Sequence, residues 1–522
     1  MNFLNIKTKT VEKSALIIGF FTLLSSLLGI LRNSLLASYL GADRNIDIYY
    51  ASFRIPDFIF NIFIMGAITA GLIPLFSKYI YTKKEEANDF INSIIHIILI
   101  TSILFALLLS IFASPVINWL FNGMDAESRM MVVKITRVIM LQPIILGLSA
   151  ILGNVLLVYD FVLSFALAPL LYNLGIIFGI VALYPKFGLI GLGYGVVLGA
   201  ILNLIIKFVP IRLTDIKIRT VSFQNMKKYL KEFAALILPR TLSVINIQIF
   251  LFVVSYFVSF LEPGKLGIFN LANSFQDLPQ TIFATSIAMA VFPVLSKMYH
   301  SSNLLDFKKL YVKSLNQINF IILLVSAGLF VLKYPIVKVL LHYGKFDLAS
   351  IATTANVLQI MSLGLVFSSL LLLSLDTLFA LGDMMTPLLA SFVAYIFGSI
   401  LISMWYLKFN LYGIALAMII ANFIYFIIMF IKIASRLKLD IKMIIFKFIQ
   451  NLLIAVLSGI IGLLSFNYLA RFDNTSWLIY MLLNIILPAL IISTAYLGLA
   501  KMLRFEEVND FWKIIFKKIK KW

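Results

Sequence analysis

The chain has 522 residues, 62% of them apolar and only 13% charged, with 43 Lys and Arg against 23 Asp and Glu for a net charge of +20. A water-soluble fold needs roughly a quarter of its residues charged to cover its surface, so this composition excludes one. Cysteine is absent, which excludes disulfides and thiolate metal sites, and His96, His300 and His342 stand too far apart in sequence for a ligand cluster. Mean hydropathy is +1.03, and apolar runs of about 20 residues, each enough to cross about 30 Å of hydrocarbon, recur from end to end.

In chain order, about fourteen spans are expected, near 14–40, 46–80, 90–112, 131–158, 161–184, 188–210, 229–261, 266–298, 311–333, 350–381, 386–407, 411–435, 445–470 and 475–503. The first follows Lys7, Lys9 and Lys13 like a signal peptide, but its length, its Arg32 and the spans behind it favour a retained helix. Lys and Arg gather in alternate connections: Lys7 to Lys13, Lys78 to Lys84, Arg212 to Lys231, Lys297 to Lys313, Lys432 to Lys447 and Lys501 to Lys521. By the positive-inside rule both termini are then cytoplasmic, and the basic charge reports topology rather than nucleic-acid binding.

The stretch Gly29 to Tyr79 carries Arg32, Asn33, Asp47, Arg54 and Asp57 within or between apolar runs. Charge at membrane depth is costly unless it faces a partner or water, which makes these residues functional candidates. Pro56 and Pro74 interrupt the second span, and broken helices in lipid are tolerated where they line a cavity or pack on protein. Arg32 has the planar fork suited to phosphate, or else it snorkels or pairs with Asp47. Asp47 and Arg54, two helical turns apart, share a face if the helix is continuous; Arg54 then faces a cavity or pairs with Asp47 or Asp57.

The basic connection Phe208 to Lys231 is the longest polar one, and the sequence on either side of it matches internally. GLIPLFSKYI lies over MAVFPVLSKMY with Pro74 on Pro293, SFALAPLLYN over LGDMMTPLLAS with Pro169 on Pro387, and FGLIGLGYG from Phe187 over FNLYGIALA from Phe409. Pro56 corresponds to Pro279 with a few residues inserted. The expected fold is an all-α polytopic membrane protein of two six-helix bundles, 1–220 and 221–436, related by a pseudo-two-fold along the membrane normal. Two more helices, 437–503, and a basic tail, 504–522, follow. Such a fold places a substrate site between bundles that rock to alternate access. The second-half counterpart, FNLANSFQDLPQTIF, supplies Asn270, Asn273, Gln276, Asp277 and Gln280, with Arg240 upstream; such amides hydrogen-bond between helices or line a hydrated cavity. Asp383 before Thr386-Pro387 reads as a helix cap.

These residues resemble the MurJ/MviN family of lipid II flippases, within the multidrug, oligosaccharidyl-lipid and polysaccharide exporters. The matching stretches are LGILRN from Leu28, DIYYASFRIPDF from Asp47, GAITAGLIPLFSKY from Gly66 and APLLYNLGIIFG from Ala168. They continue with LPRTLSVINIQ from Leu238, FNLANSFQDLP from Phe269, YGKF from Tyr343 and LFALGDMMTP from Leu378. The resemblance implies outward movement of an undecaprenyl-pyrophosphate-linked disaccharide-pentapeptide across the inner membrane of a bacterium, with cavity arginines on the pyrophosphate and the lipid tail beside the last two helices. It implies membrane lipids and the cell-wall synthesis machinery as partners, and no nucleic acid. No cofactor is implied, with membrane potential or a monovalent ion resetting the cycle. Carried over by position, the binding set is Arg32, Asn33, Asp47, Arg54, Arg240, Asn273 and Asp277, with hinges at Pro56, Pro74, Pro279 and Pro293. Where the family has arginines this chain has Ser26, Phe60 and Ser274, and Asn33 stands where an aspartate is usual.

The leading reading is therefore a transporter rather than an enzyme. The alternatives are a carrier of another lipid-linked oligosaccharide or of a small molecule, a membrane-embedded glycosyltransferase or peptidoglycan polymerase, and a scaffold without transport. An enzyme of that kind needs a base and clustered carboxylates near the interface, and no acidic motif of that form stands in the chain.

Overall fold

The computed structural model describes residues 11–62, 72–82, 84–470 and 476–508, and no strand occurs among them. Helix follows from the composition, because a backbone in hydrocarbon has only itself to satisfy its N–H and C=O groups. The chain forms two compact units by contact, Met1–Gly267 with Tyr343–Phe346, and Ile268–His342 with Asp347–Trp522.

In chain order the helices that build the first unit are α1 (Val11–Leu40), α2 (Arg44–Phe60), α3 (Ile73–Thr82), α4 (Lys84–Ile111), α5 (Ala113–Leu120), α6 (Ala126–Ile139), α7 (Leu141–Val158), α8 (Val162–Phe178), α9 (Tyr184–Phe187), α10 (Leu189–Ile211) and α11 (Phe223–Ser259). Part of its core is a cluster of α3, α4, α7 and α11 that includes Phe76, Phe90, Ile94, Leu152 and Phe233. Tyr79, Phe90 and Tyr229 pack mutually there, with ring centroids 5.2 to 5.7 Å apart. α11 thus packs with the helices before it, and the contact boundary falls at Gly267. The physical reason is that the polar connection is tied down. Asn88 and Asn92 of α4 accept the backbone N–H of Lys217 and Arg219 at 3.0 and 2.9 Å, and Arg219 bridges Asp89 at 2.6 Å.

α8 and α10 approach backbone to backbone. A Cβ on Gly175 would run into Gly199 and one on Gly179 into Gly195, the small-residue contact that membrane helices use to pack closely. Deeper along α10, Lys207 is buried, its ammonium donating to Ser149 O, Ser149 Oγ and Asn203 Oδ1 at 2.9, 2.8 and 3.2 Å. The YGKF stretch docks on the end of α1, where Lys345 N donates to Ser38 O at 2.9 Å.

The second unit holds most of α12 (Lys265–Pro279), then α13 (Ser286–His300), α14 (Leu304–Val331), α15 (Lys333–Leu341), α16 (Leu348–Ala380), α17 (Met385–Leu437), α18 (Ile441–Leu469), α19 (Trp477–Met481) and α20 (Leu487–Met502). α17 breaks at Asn410, whose φ of 54° and ψ of −140° lie outside helix. Gly188, which the internal sequence match sets one residue after Phe187 as Asn410 follows Phe409, has φ 61° and ψ −150°. The two aligned positions therefore share one unusual backbone conformation.

Twelve helices among the described residues are long and apolar enough to cross a bilayer. Fourteen were expected. α17 spans the expected eleventh and twelfth across its break, and the second runs partly outside the described residues.

Candidate functional site

Arg32 sits in α1, a helix otherwise apolar over Leu16–Leu40. Its Nη1 donates to Asn173 Oδ1 of α8 at 3.1 Å, while Nε and Nη2 donate to Asn33 Oδ1 at 3.2 and 3.0 Å. Asn173 is itself fixed, donating through Nδ2 to Ser25 O and Oγ at 3.1 and 3.2 Å. Two amides thus set the plane of the guanidinium, and its remaining N–H groups have no partner among the described residues. Asn33 is buried and accepts both bonds, so it orients its neighbour without neutralising it.

α2 brings up the second cation. Arg54 and Asp57 are half-buried one turn apart, and Asp57 feels first Arg54 and then Arg32 electrostatically. Tyr49, Tyr50 and Tyr172 lie within the field of Arg32 as well. Tyr49 stacks edge-on against Tyr50 and Phe53, centroids 5.3 and 4.9 Å away, and Gln142 Nε2 donates to Tyr172 OH at 3.0 Å. Two guanidinium groups, one carboxylate, three phenols and three amides therefore gather inside the first unit, with an excess of positive charge.

Asp47 stands apart from this cluster in its bonding. Its carboxylate is 1% exposed and accepts from Gly264 N at 2.7 Å and Gly267 N at 2.9 Å, with Arg44 at 3.5 Å. Gly264 has φ +87°, and a Cβ there would strike the Ala42 carbonyl, so glycine is needed to present that amide. The Arg240 side chain lies outside the described residues. Lys134 and Arg137 are exposed on α6, with Arg137 Nε donating to Ser110 O of α4 at 3.1 Å.

In the second unit Asn273 Nδ2 donates to Asp277 Oδ2 at 2.8 Å along one face of α12, and Asp277 is exposed. Gln280 and Ser368 exchange bonds at 3.3 Å. Pro279 closes α12 and the backbone passes directly into a π-helix, Gln280–Thr285. After Pro56 it likewise passes into π geometry, at Asn61 and Ile62. Pro293 lies inside α13, and Pro74 lies in the first turn of α3 with its ring outside the described residues. The expected arginine positions hold side chains satisfied in their own helix: Ser26 Oγ donates to Thr22 O at 2.9 Å and Ser274 Oγ to Asn270 O at 2.8 Å, while Phe60 packs against the core. Asn173, Tyr172 and Gln142 stand outside the binding set expected from sequence, where their signal is a polar side chain inside an otherwise apolar span.

Helices of this arrangement, with charged groups held inside an apolar bundle, define a polytopic transporter fold. The solved inward-closed structure of a lipid II flippase MurJ superposes with a TM-score of 0.75 at 24% identity, covering 94% of this chain and 99% of that one. An inward-facing multidrug resistance MATE family transporter of the MOP superfamily gives 0.66 at 17% identity, covering 79% and 94%. Among sequences, the probable lipid II flippase MurJ of Buchnera aphidicola is 24% identical over 509 residues, 96% of this chain and 99% of its own length. That of Borreliella burgdorferi is 26% identical over 447 residues, 84% and 87%. The family described as lipid II flippase MurJ matches residues 36–484, and the chain belongs to that family.

Proposed function

We propose that the chain carries lipid II across the bacterial inner membrane, as a transporter and not an enzyme. The observation that carries the chemistry is the cluster of Arg32, Arg54 and Asp57 with its phenols and amides. A planar fork with free N–H groups matches a pyrophosphate, and low surrounding polarity strengthens each charge-assisted bond. Asn33 orients Arg32, Asp47 positions α2, and Arg240, Asn273 and Asp277 complete the binding set. Access alternates with flexing at Pro56, Pro74, Pro279 and Pro293, where helical hydrogen bonding is already interrupted. Both termini face the cytoplasm, membrane potential or a monovalent ion resets the cycle, and the cell-wall synthesis machinery takes the product.

In cells depleted of their own flippase, wild type restores growth, and Arg32→Ala or Arg54→Ala lowers lipid II translocation by about 10-fold or more, as loss of a charge-assisted bond requires. Full complementation by either variant would overturn the assignment of the cluster. In proteoliposomes, labelled lipid II changes leaflet with its chemistry intact; a new covalent product would instead make the protein an enzyme.

A further inference from the structure

α14 and α18 pack together in the second unit, and α20 with the segment after it is pinned against α14. Tyr496 OH donates to Phe320 O at 2.9 Å, and the Phe505 ring lies 6.4 Å from that of Phe320. These three elements line an open cavity of about 620 Å³, a size suited to a small organic ligand. Its cations, Lys308, Lys309, Lys313 and Lys447, come from α14 and α18, and its carboxylates, Glu506 and Glu507, from the segment after α20.

Several of these groups are unsatisfied. Lys447 is half-buried and makes no hydrogen bond or ion pair among the described residues. Asn316, 5% exposed, turns an unbonded amide to the same space. Glu507 Oε2 is buried without a partner. By contrast, Lys308 is tied to Lys438 O, Lys309 to Asp306, and Lys313 has an interaction of its own. Buried polar atoms almost always find partners, so the open Glu507 carboxylate oxygen asks for a donor, while the unpaired Lys447 and Asn316 beside it offer bonds to an acceptor. Beside Lys447, α18 exposes an apolar stripe of Phe446, Ile449, Leu453 and Leu457, which offers an acyl chain a surface continuous with the cavity.

We propose that this cavity binds the headgroup of an aminophospholipid, with phosphate on Lys313 and Lys447 and the primary ammonium on Glu507. A plain anion would leave Glu507 Oε2 unbonded and repelled. A quaternary ammonium has no N–H to donate to it. The site shares no residue with the binding set assigned to lipid II, although α18 is one of the two helices beside which the lipid tail is expected.

The test is native mass spectrometry of the full-length protein with phosphatidylethanolamine, phosphatidylcholine, phosphatidylglycerol and soluble phosphoethanolamine. Phosphatidylethanolamine should bind about 10-fold more tightly than the other two lipids, the scale of one charge-assisted bond. Lys313→Gln with Lys447→Gln should weaken it by about 10-fold or more, Lys313→Arg with Lys447→Arg should keep it, and Glu507→Gln should erase the preference over phosphatidylglycerol. Each variant is first shown to melt as wild type does; the arginine pair keeps the test decisive if the glutamine pair fails to fold. Equal binding of phosphatidylcholine, or retention by the folded glutamine pair, would overturn the proposal. Soluble phosphoethanolamine should displace the lipid only at far higher concentration, and equal potency would overturn the membrane source.

Discussion

At Asp47 a carboxylate is buried in an apolar setting and yet well supplied with donors, two backbone amides and an arginine. Replacing it with alanine leaves the Gly264 and Gly267 N–H groups buried without acceptors, at about 1–3 kcal/mol each. Asp47→Ala should therefore destabilise by about 2–6 kcal/mol, and Asp47→Asn, which keeps one acceptor, by about half of that. Melting of the detergent-solubilised protein reads this directly, and an unchanged midpoint for Asp47→Ala would refute the clamp. The sequence made Asp47 conspicuous as a charge between apolar runs, but not its task. Its partners lie 217 and 220 residues away and are backbone groups, which leave no mark in residue identity. Arg32 was legible for the same reason, while Asn173, which aims it, looked like any polar residue in a span. Asn173→Ala should lower translocation at unchanged melting, because Arg32 loses its orientation and keeps its charge; equal losses in both would make Asn173 structural.

Helix boundaries in this chain are set by a few local devices. Asp383 starts α17, accepting Thr386 N at 3.0 Å and Thr386 Oγ at 2.8 Å while bridging Arg436 at 3.2 Å. Burial works against its charge, yet the Thr386 amide and hydroxyl and the Arg436 guanidinium together hold its carboxyl below the usual range. Asp125 is held low by the amide and hydroxyl of Ser128, and Asp347 by the hydroxyl and amide of Ser350. A carboxyl whose pKa is depressed in the fold gives its full stabilisation above the free value of about 3.9 and loses it as pH falls through the folded value. The melting midpoint should thus fall in acid, and Asp383→Asn should cost about 1 kcal/mol near neutrality while flattening that acid limb. A second device is the shared conformation of Gly188 and Asn410, in a region reserved almost wholly for glycine. A Cβ at Gly188 meets nothing within 4 Å, so Gly188→Ala tests backbone strain alone, at about 1–3 kcal/mol. Asn410 offsets part of its strain by accepting Leu411 N at 2.7 Å. Asn410→Ala should therefore melt lowest, with Asn410→Gly close to wild type. The FGLIGLGYG and FNLYGIALA match made these positions equivalent on paper, but nothing in either string announces a positive φ at an asparagine.

For the whole molecule, the composition made the fold class plain, since only helices satisfy so apolar a backbone in lipid. The unit boundary was less legible. A basic, polar connection reads as a linker, and only the asparagines spaced one turn apart on α4 turn Lys217 to Arg219 into a fixed strap. Orientation rests on charge asymmetry and is testable because the chain has no cysteine of its own. An impermeant maleimide should label Glu262→Cys in intact cells and Ser301→Cys only after permeabilisation; the reverse pattern would invert the assigned sidedness. The seam between α8 and α10 bears on how such a protein changes over generations. Gly175, Gly179, Gly195 and Gly199 leave no room for a single added methyl group, and the helix they lock is the one that carries Asn173 to Arg32. Lineages descending from this sequence should therefore alter the lipid-facing side of α18 freely, whereas a seam glycine changes only together with the backbone opposite it.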